Sequence, residues 1–204
     1  MTDVWRLYEA HAEEYDRVRS RGLMERDYLS EVTAALAAGA GILDLGCGSG
    51  EPIARHLIER GFNVTGVDAA PAMIALCRTR FPDAAWVEAG MRTLDLGRRF
   101  DAILAWDSFF HLDADEQRAM FDIFARHIAP NGLLLFTSGP QAGEAIGDFF
   151  GHALFHSSLD SDEYECLLDR SGFAVLRHRV EDPDCGRHTV WLARSGNRRS
   201  ESGD

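Results

Sequence analysis

Long apolar runs are missing from this 204-residue sequence. No stretch approaches the roughly 20 apolar residues that a membrane-crossing helix needs, and no membrane partner is expected. Positive charge is short: 21 Lys and Arg stand against 33 Asp and Glu, a formal charge of -12 at pH 7. Nucleic-acid binders more often show a basic face, because phosphate contacts dominate their affinity. DNA and RNA are therefore not expected as partners, and an anionic lipid surface is disfavoured on the same ground. Cysteine is scarce, and Cys47, Cys77, Cys166 and Cys185 form no CxxC pair. That removes the usual signature of structural zinc, and the four read as free thiols. The opening MTDVWRLYEAHAEEYD is too charged for a secretory signal, so cytoplasmic residence is the expectation.

What is present is an alternation of short apolar runs and amphipathic stretches, the pattern of a mainly parallel sheet with helices on both faces. Gly41–Leu45, Asn63–Val67, Ala84–Glu88, Asp101–Trp106 and Gly132–Thr137 read as strands. They lack polar alternation, as strands covered on both faces should. Between them, Glu51–Arg60 has Ile53, Leu57 and Ile58 at helical spacing and stops at Gly61. Pro71 fits the first turn of the next helix, which ends near Phe81-Pro82. Asp113 is a natural N-cap for a helix burying Met120, Phe121, Phe124 and Ile128, broken at Pro130-Asn131-Gly132.

The ends differ. Residues 3–18 and 24–38 read as two helices, within an N-terminal helical segment 1–38. The Gly- and aromatic-rich stretch from Ser138 to Leu159 reads as a connection or substrate cap (138–160) rather than a sheet element. Asp160 opens a further helix to Gly172, and Phe173–Val180 and His188–Ala193 form a hairpin across Asp182-Pro-Asp-Cys-Gly186. Residues 1–194 thus read as one domain, and 195–204, SGNRRSESGD, as a disordered tail.

The chemistry concentrates in Asp44-Leu-Gly-Cys-Gly-Ser-Gly50, between a strand and a helix. There a glycine loop brings a ligand close to backbone N–H groups. Gly46, Gly48 and Gly50 lack side chains that would block the approach, and Cys47 is small. Asp68 ends the second strand, 24 residues after Asp44, where a carboxylate can accept hydrogen bonds from both ribose hydroxyls of an adenosine. The dinucleotide fingerprint is GxGxxG. Here the spacing is GxGxG followed by Glu51, an acid badly placed beside a pyrophosphate. Asp44 suits a cationic ligand group, so S-adenosylmethionine, with a sulfonium and an α-ammonium and no phosphate, is favoured over NAD.

Ile42-Leu-Asp-Leu-Gly-Cys-Gly-Ser-Gly50 resembles motif I of the class I S-adenosylmethionine-dependent methyltransferases, and Gly66-Val-Asp-Ala-Ala-Pro-Ala-Met73 their second motif. Glu88-Ala-Gly-Met91 is similar to their adenine-contacting segment. Phe100–Trp106 and Pro130–Phe136 resemble the fourth- and fifth-strand motifs. The resemblance spans about residues 10 to 194. It implies a Rossmann-like doubly wound sheet of seven strands, mostly parallel with an antiparallel strand from the C-terminal hairpin. It places Gly46, Gly48 and Gly50 along the methionine and ribose, Asp44 toward the amino group, and Asp68 with Ala69 and Met73 around the ribose. Ala89, Gly90 and Met91 flank the adenine, and Trp106 and Asp107 border the methionine end. Tyr8 and Tyr15 resemble the aromatic residues with which small-molecule members cover the cofactor.

His111, just beyond the fourth strand, is the candidate general base, since an imidazole titrates near neutrality; it reads as readily as a surface or capping histidine. Phe155 and His156, with Phe149 and Phe150 nearby, are candidates to enclose a small, partly apolar acceptor. His152 and His156 stand four apart without a third ligand, and no metal is expected. His188 reads as structural, near a different edge. The place of the Asn/Asp-Pro-Pro-aromatic motif of base amino-methylating enzymes is taken by Trp106-Asp-Ser-Phe109. The expectation is methyl transfer to a small molecule by in-line displacement. A non-catalytic cofactor-binding module, a macromolecular acceptor and a nicotinamide enzyme remain as alternatives, and monomer or homodimer is left open.

Overall fold

Strands without polar alternation need cover on both faces, and the computed structural model, which describes residues 4–196, supplies it. The order is α1 (Trp5–Ala10), α2 (Ala12–Val18), α3 (Arg26–Ala34), β1 (Gly41–Leu45), α4 (Ile53–Glu59), β2 (Asn63–Asp68), α5 (Pro71–Arg80), β3 (Ala85–Glu88) and β4 (Phe100–Ala105). It continues with α6 (Ala114–His127), β5 (Ile128–Ser138), β6 (Gly143–Phe149), β7 (His152–Ser158), α7 (Ser161–Arg170), β8 (Phe173–Asp182) and β9 (His188–Ser195). The main sheet runs β3-β2-β1-β4-β5-β9-β8. β3 through β5 are parallel, and β9 is antiparallel to both β5 and β8. This is the seven-stranded doubly wound sheet that the sequence implies.

Alternate residues of each strand feed two cores. Leu43, Leu45, Ile103 and Phe136 join Phe109, Phe121, Phe124 and Tyr164 on one face. Ile42, Leu104 and Leu135 join Tyr28, Leu29, Leu57 and Ile74 on the other. Phe136 and Trp191 are register partners across β5 and β9, with rings stacked at 5.8 Å. The start of α6 is fixed by a capping box: the Glu116 amide donates to Asp113 Oδ1 (2.9 Å) and the Asp113 amide to Glu116 Oε2 (3.0 Å). No helix among the described residues is long and apolar enough to cross a membrane.

Several boundaries depart from expectation. The N-terminal helix is broken at His11 (φ −120°, ψ 22°), where the imidazole stacks on Phe150 at 5.4 Å. The helix expected over 24–38 is confined to Arg26–Ala34, and α4 begins at Ile53, after Pro52. α6 stops at His127, before Pro130, because Ile128 already pairs with Phe100. The next pair is Ala102 with Leu133, so residues 129–132 bulge from the ladder, with Asn131 at φ 62°. The largest correction concerns 138–159, which holds a separate antiparallel hairpin, β6–β7. Phe149 pairs with His152, leaving Phe150-Gly151 as the turn, with φ of 52° and 81°. Asn-Gly or Asp-Gly would announce such a turn, and Phe-Gly does not. At the C-terminus, β9 includes Ser195, and the Gly196 amide donates to the Gly172 carbonyl at 2.8 Å. Both fall within the tail that the sequence predicts over 195–204, whose remainder, 197–204, lies outside the described residues.

Candidate functional site

Strand order reverses between β1 and β4, the position at which open α/β sheets hold ligands. The glycine loop leaves β1 there, tied back by the Gly46 and Cys47 amides, which donate to the Val67 carbonyl at 2.8 and 3.1 Å. Gly46 has φ +74°, and a Cβ on it would run into the Ser108 side chain. Ser108 is itself anchored by donating from Oγ to the Leu45 carbonyl at 2.6 Å. Asp68 Oδ2 accepts from the Gly48 amide and Oδ1 from the Ala70 amide, both at 2.9 Å. Its carboxyl is still pushed up by burial, so the surrounding space favours a ligand that donates to it.

A cleft of about 780 Å³, counting its open mouth, lies over this floor. Gly46, Gly48, Asp68 and Ala69 line it from the β1 and β2 exits, and Ala89, Gly90 and Met91 from the β3 exit. Tyr8 and Tyr15 cover it from α1 and α2, edge to face at 5.4 Å. Phe149 of the hairpin packs on both tyrosines, at 4.7 and 5.8 Å. The two helices are fastened to α5: the Ala72 amide donates to Glu9 Oε2 at 2.7 Å, and Asp16 pairs with Arg80. That guanidinium holds the Asp16 carboxyl well below the usual range.

Behind Tyr15 lies a smaller chamber of about 360 Å³, sharing Gly46, Gly48 and Asp107 with the cleft and adding Arg19, Asp44, Cys47, Glu51 and Trp106. Arg19 donates from Nε to the Glu51 carbonyl (3.1 Å) and from a terminal nitrogen to the Tyr15 hydroxyl (2.8 Å). Asp44 is 4% exposed. Burial, with the charge of Asp68 second, pushes its carboxyl up to about 7. Trp106 Nε1 is buried there without a hydrogen-bond partner. One guanidinium, the carboxyls of Asp44 and Asp107 beside a Glu51 already engaged by Arg55, and an unused indole donor in a small chamber suit a zwitterionic amino-acid group.

His111 reaches the cleft from the turn after β4. Its Nδ1 lies 2.9 Å from the Phe155 carbonyl and must donate to it, which leaves Nε2 to accept from the Tyr8 hydroxyl at 3.1 Å. Burial lowers the imidazole to about 4, so it is neutral at pH 7, and burial likewise raises the Tyr8 phenol, which keeps its proton.

Not every expected site residue meets the cleft or chamber. A Cβ on Gly50 would press on Phe81 and Cys77, and Met73 is fully buried against Ala12 and Ala70; both serve packing around the loop. Phe155 contributes its carbonyl. His156 lines a separate groove with Phe110 and Ser138, its ring 4.9 Å from that of His111. His152 and His156 lie on a strand, so their spacing of four puts them roughly 13 Å apart. Arg19 and Ser108 are not among the site residues the sequence predicts, and His188 is expected there to be structural. Arg19 stands one helical turn after Tyr15, a signal that could have found it. His188 is displaced from its expected place because β9 inserts between β5 and β8, which brings it within 2.9 Å of Asp107.

Residues 42–132 match the family described as methyltransferase domain. The dTDP-3-amino-3,6-dideoxy-alpha-D-glucopyranose N,N-dimethyltransferase of Streptomyces fradiae is 36% identical over 135 residues, 61% of this chain and 51% of the relative. Trans-aconitate 2-methyltransferase of Escherichia coli O1:K1 / APEC is 42% identical over 94 residues, 46% of this chain and 36% of the relative. The match thus spans about half of the first relative's length and about a third of the second's. Among solved structures, S-adenosylmethionine-bound CalS10, an amino pentose methyltransferase from Micromonospora echinaspora, superposes with TM-score 0.69 at 22% identity. That superposition covers 91% of this chain and 95% of CalS10.

Proposed function

We propose that the chain is a class I methyltransferase that transfers a methyl group from S-adenosylmethionine to an amine of a small molecule. One observation carries the cofactor assignment. Asp68 is held by two backbone amides at the edge of a glycine loop, with lone pairs left for a diol, and the chamber of Arg19, Asp44 and Asp107 begins on the other side of Gly46 and Gly48. An adenosine joined to an amino acid spans that pair of spaces. In this reading Arg19 meets the carboxylate, Asp44 and Asp107 the ammonium, Ala89 and Met91 the adenine, and Tyr8 and Tyr15 close the lid. Bound S-adenosylmethionine supplies a methyl carbon already activated by its sulfonium.

The protein then has to align the acceptor and exclude water. Phe149 and the two tyrosines do the second. An amine acceptor is supported by the charges on the cleft wall: Asp68 and Asp107 are carboxylates, and Arg92 is engaged by Glu116 at 2.5 Å. A carboxylate acceptor would face those acids. The Streptomyces fradiae relative acts on an amino sugar. His111 is the base: its Nε2 lone pair, oriented by the Phe155 carbonyl at Nδ1, accepts from the Tyr8 hydroxyl at the cleft wall and takes the acceptor's proton when the acceptor displaces that contact.

Calorimetry with S-adenosylhomocysteine tests the cofactor, with micromolar binding expected for wild type and a loss of about 100-fold in Asp68→Ala. A folded wild type that binds none refutes the reading. Methyl transfer from labelled S-adenosylmethionine to pooled amines, but not to pooled carboxylates, tests the acceptor class. His111→Asn should lower the rate constant by about 100-fold while leaving S-adenosylhomocysteine affinity unchanged.

A further inference from the structure

Asp107 is held from both ends by residues of the C-terminal half of the sheet. It has φ +49°, a costly backbone for a residue other than glycine. Its amide donates to Thr137 Oγ1 at 2.9 Å, and Thr137 is fully buried on β5. Its carboxylate Oδ1 lies 2.9 Å from His188 Nε2, at the start of β9. His188 Nδ1 lies 2.8 Å from the Cys185 carbonyl and must donate to it. With Nδ1 committed, a neutral ring would turn its Nε2 lone pair onto the carboxylate, so the 2.9 Å approach is that of an ion pair with the imidazolium, which the neighbouring carboxylate favours, although Oδ1 makes no aligned hydrogen bond. Trp106 stacks on the ring at 5.4 Å and 26°, fixing its plane. The other charges around the imidazole agree with that state: Glu25, 1% exposed, adds a further negative charge.

We propose that His188 is a positioning residue: as an imidazolium clamped between the Cys185 carbonyl and Trp106, it keeps the Asp107 carboxylate aimed at the junction of cleft and chamber. This rests on the reading of those spaces as the S-adenosylmethionine site, where Asp107 meets the cationic methionine end. Without the imidazolium, the Asp107 carboxylate shares its spaces with Asp44 and Asp68 and has no cation at Oδ1 to fix its direction, and a carboxylate turned away does not attract an ammonium. His188 touches neither cleft nor chamber, so it acts through Asp107 alone.

The test compares wild type, His188→Gln, His188→Leu, Asp107→Asn and the double variant His188→Leu/Asp107→Asn by calorimetry with S-adenosylhomocysteine. Gln keeps an N–H donor near the Nε2 position. His188→Leu should weaken binding about tenfold, His188→Gln by less than about threefold, and the double variant should bind no more weakly than Asp107→Asn. Imidazole nitrogen shifts supply a readout independent of ligand and of the Leu variant's folding. His188 should be doubly protonated at pH 7 in wild type and lose that state in Asp107→Asn. Wild-type affinity in His188→Leu, losses that add in the double variant, or a ring with one proton in wild type would each overturn the proposal. A wild type that binds no S-adenosylhomocysteine removes the cofactor reading and this inference with it, whereas a binding wild type with an indifferent His188→Leu removes only the inference.

Discussion

Gly46 and Asp68 on one side of the cleft and Tyr8 and Phe149 on the other border the same space, yet their positions have different origins. The first pair is set within one βαβ unit: a loop with no room for a Cβ, and a carboxylate fastened by amides two and twenty residues away. The second pair is set by docking. α1 and α2 reach α5 through Glu9 and Asp16, and the hairpin reaches the helices through the face of Phe149. Local backbone geometry therefore shapes the floor on which a ligand can sit, and long-range side-chain contacts determine whether the space is closed. Substitutions that disturb the floor's backbone should cost stability and binding together, whereas substitutions in the lid, or of the floor's buried charge, should separate the two.

The most damaging change should be Gly46→Ala. It combines a collision with Ser108 and a left-handed backbone at φ +74°, which together cost about 3 kcal/mol or more. Thermal unfolding should show a midpoint lower by ~10 °C, and S-adenosylhomocysteine binding should be lost. If the variant keeps both, the floor is not the rigid element that the comparison requires.

Asp44→Asn should have the next largest effect, and it should split the floor's two roles. The folded-state carboxyl is raised from 3.8 to about 7. The folded protein therefore binds the proton more tightly than the unfolded chain, and stability falls as pH rises from about 4 through 7. At pH 8 the buried charge costs roughly 2–4 kcal/mol, which Asn removes. Unfolding followed from pH 5 to 8 should thus give a flatter stability profile for Asp44→Asn and a higher midpoint at pH 8. Cofactor affinity should fall about tenfold, because the ammonium loses a charged acceptor. A variant less stable than wild type at pH 8 would mean that the charge is already compensated inside the apoprotein.

In the lid, Phe149→Ala removes the ring that covers Tyr8 and Tyr15. Because the hairpin is a sheet of its own, the unfolding midpoint should move by only ~2–4 °C. Turnover should drop about tenfold, as water enters beside the acceptor. A loss of stability as large as that of Gly46→Ala would make the lid part of the core and erase the distinction.

The same division explains what the sequence made legible. The five parallel strands, the N-cap at Asp113, the glycine loop and Asp68 are all announced by residues within a few positions of one another. The hairpin was not, because its turn uses Phe150-Gly151. Neither was the approach of His188 to Asp107, which depends on β9 inserting between β5 and β8 and joins residues 81 apart in the chain. The cap reading of 138–160 points to Phe155 and His156, but in β7 it is the Phe155 carbonyl that meets His111, and Phe149 of β6 supplies the ring that packs on Tyr8 and Tyr15. Alternation along a strand sorts residues by face; it does not say which face will meet a helix more than a hundred residues away.

The smallest predicted effect tests the seam between the two regions, where Tyr8 of the lid meets His111. The Tyr8 hydroxyl donates to Nε2, which favours the neutral ring, and burial lowers the imidazole to about 4 in the same direction. Tyr8→Phe removes the donor and keeps the ring against Phe149, so the lid stays shut and the midpoint should move by less than ~2 °C. His111 accepts a proton only when neutral, so turnover falls as pH drops through its pKa. Losing the donor raises that pKa, and the acid limb of the rate profile should move to higher pH by under about one unit, the worth of one neutral hydrogen bond. At pH 8 the rate should change by no more than about threefold. A limb that does not move would show that turnover does not pass a proton through Nε2, even with the lid intact. A large loss at pH 8 would make the hydroxyl itself the group that meets the acceptor, so that the lid would carry chemistry as well as closure.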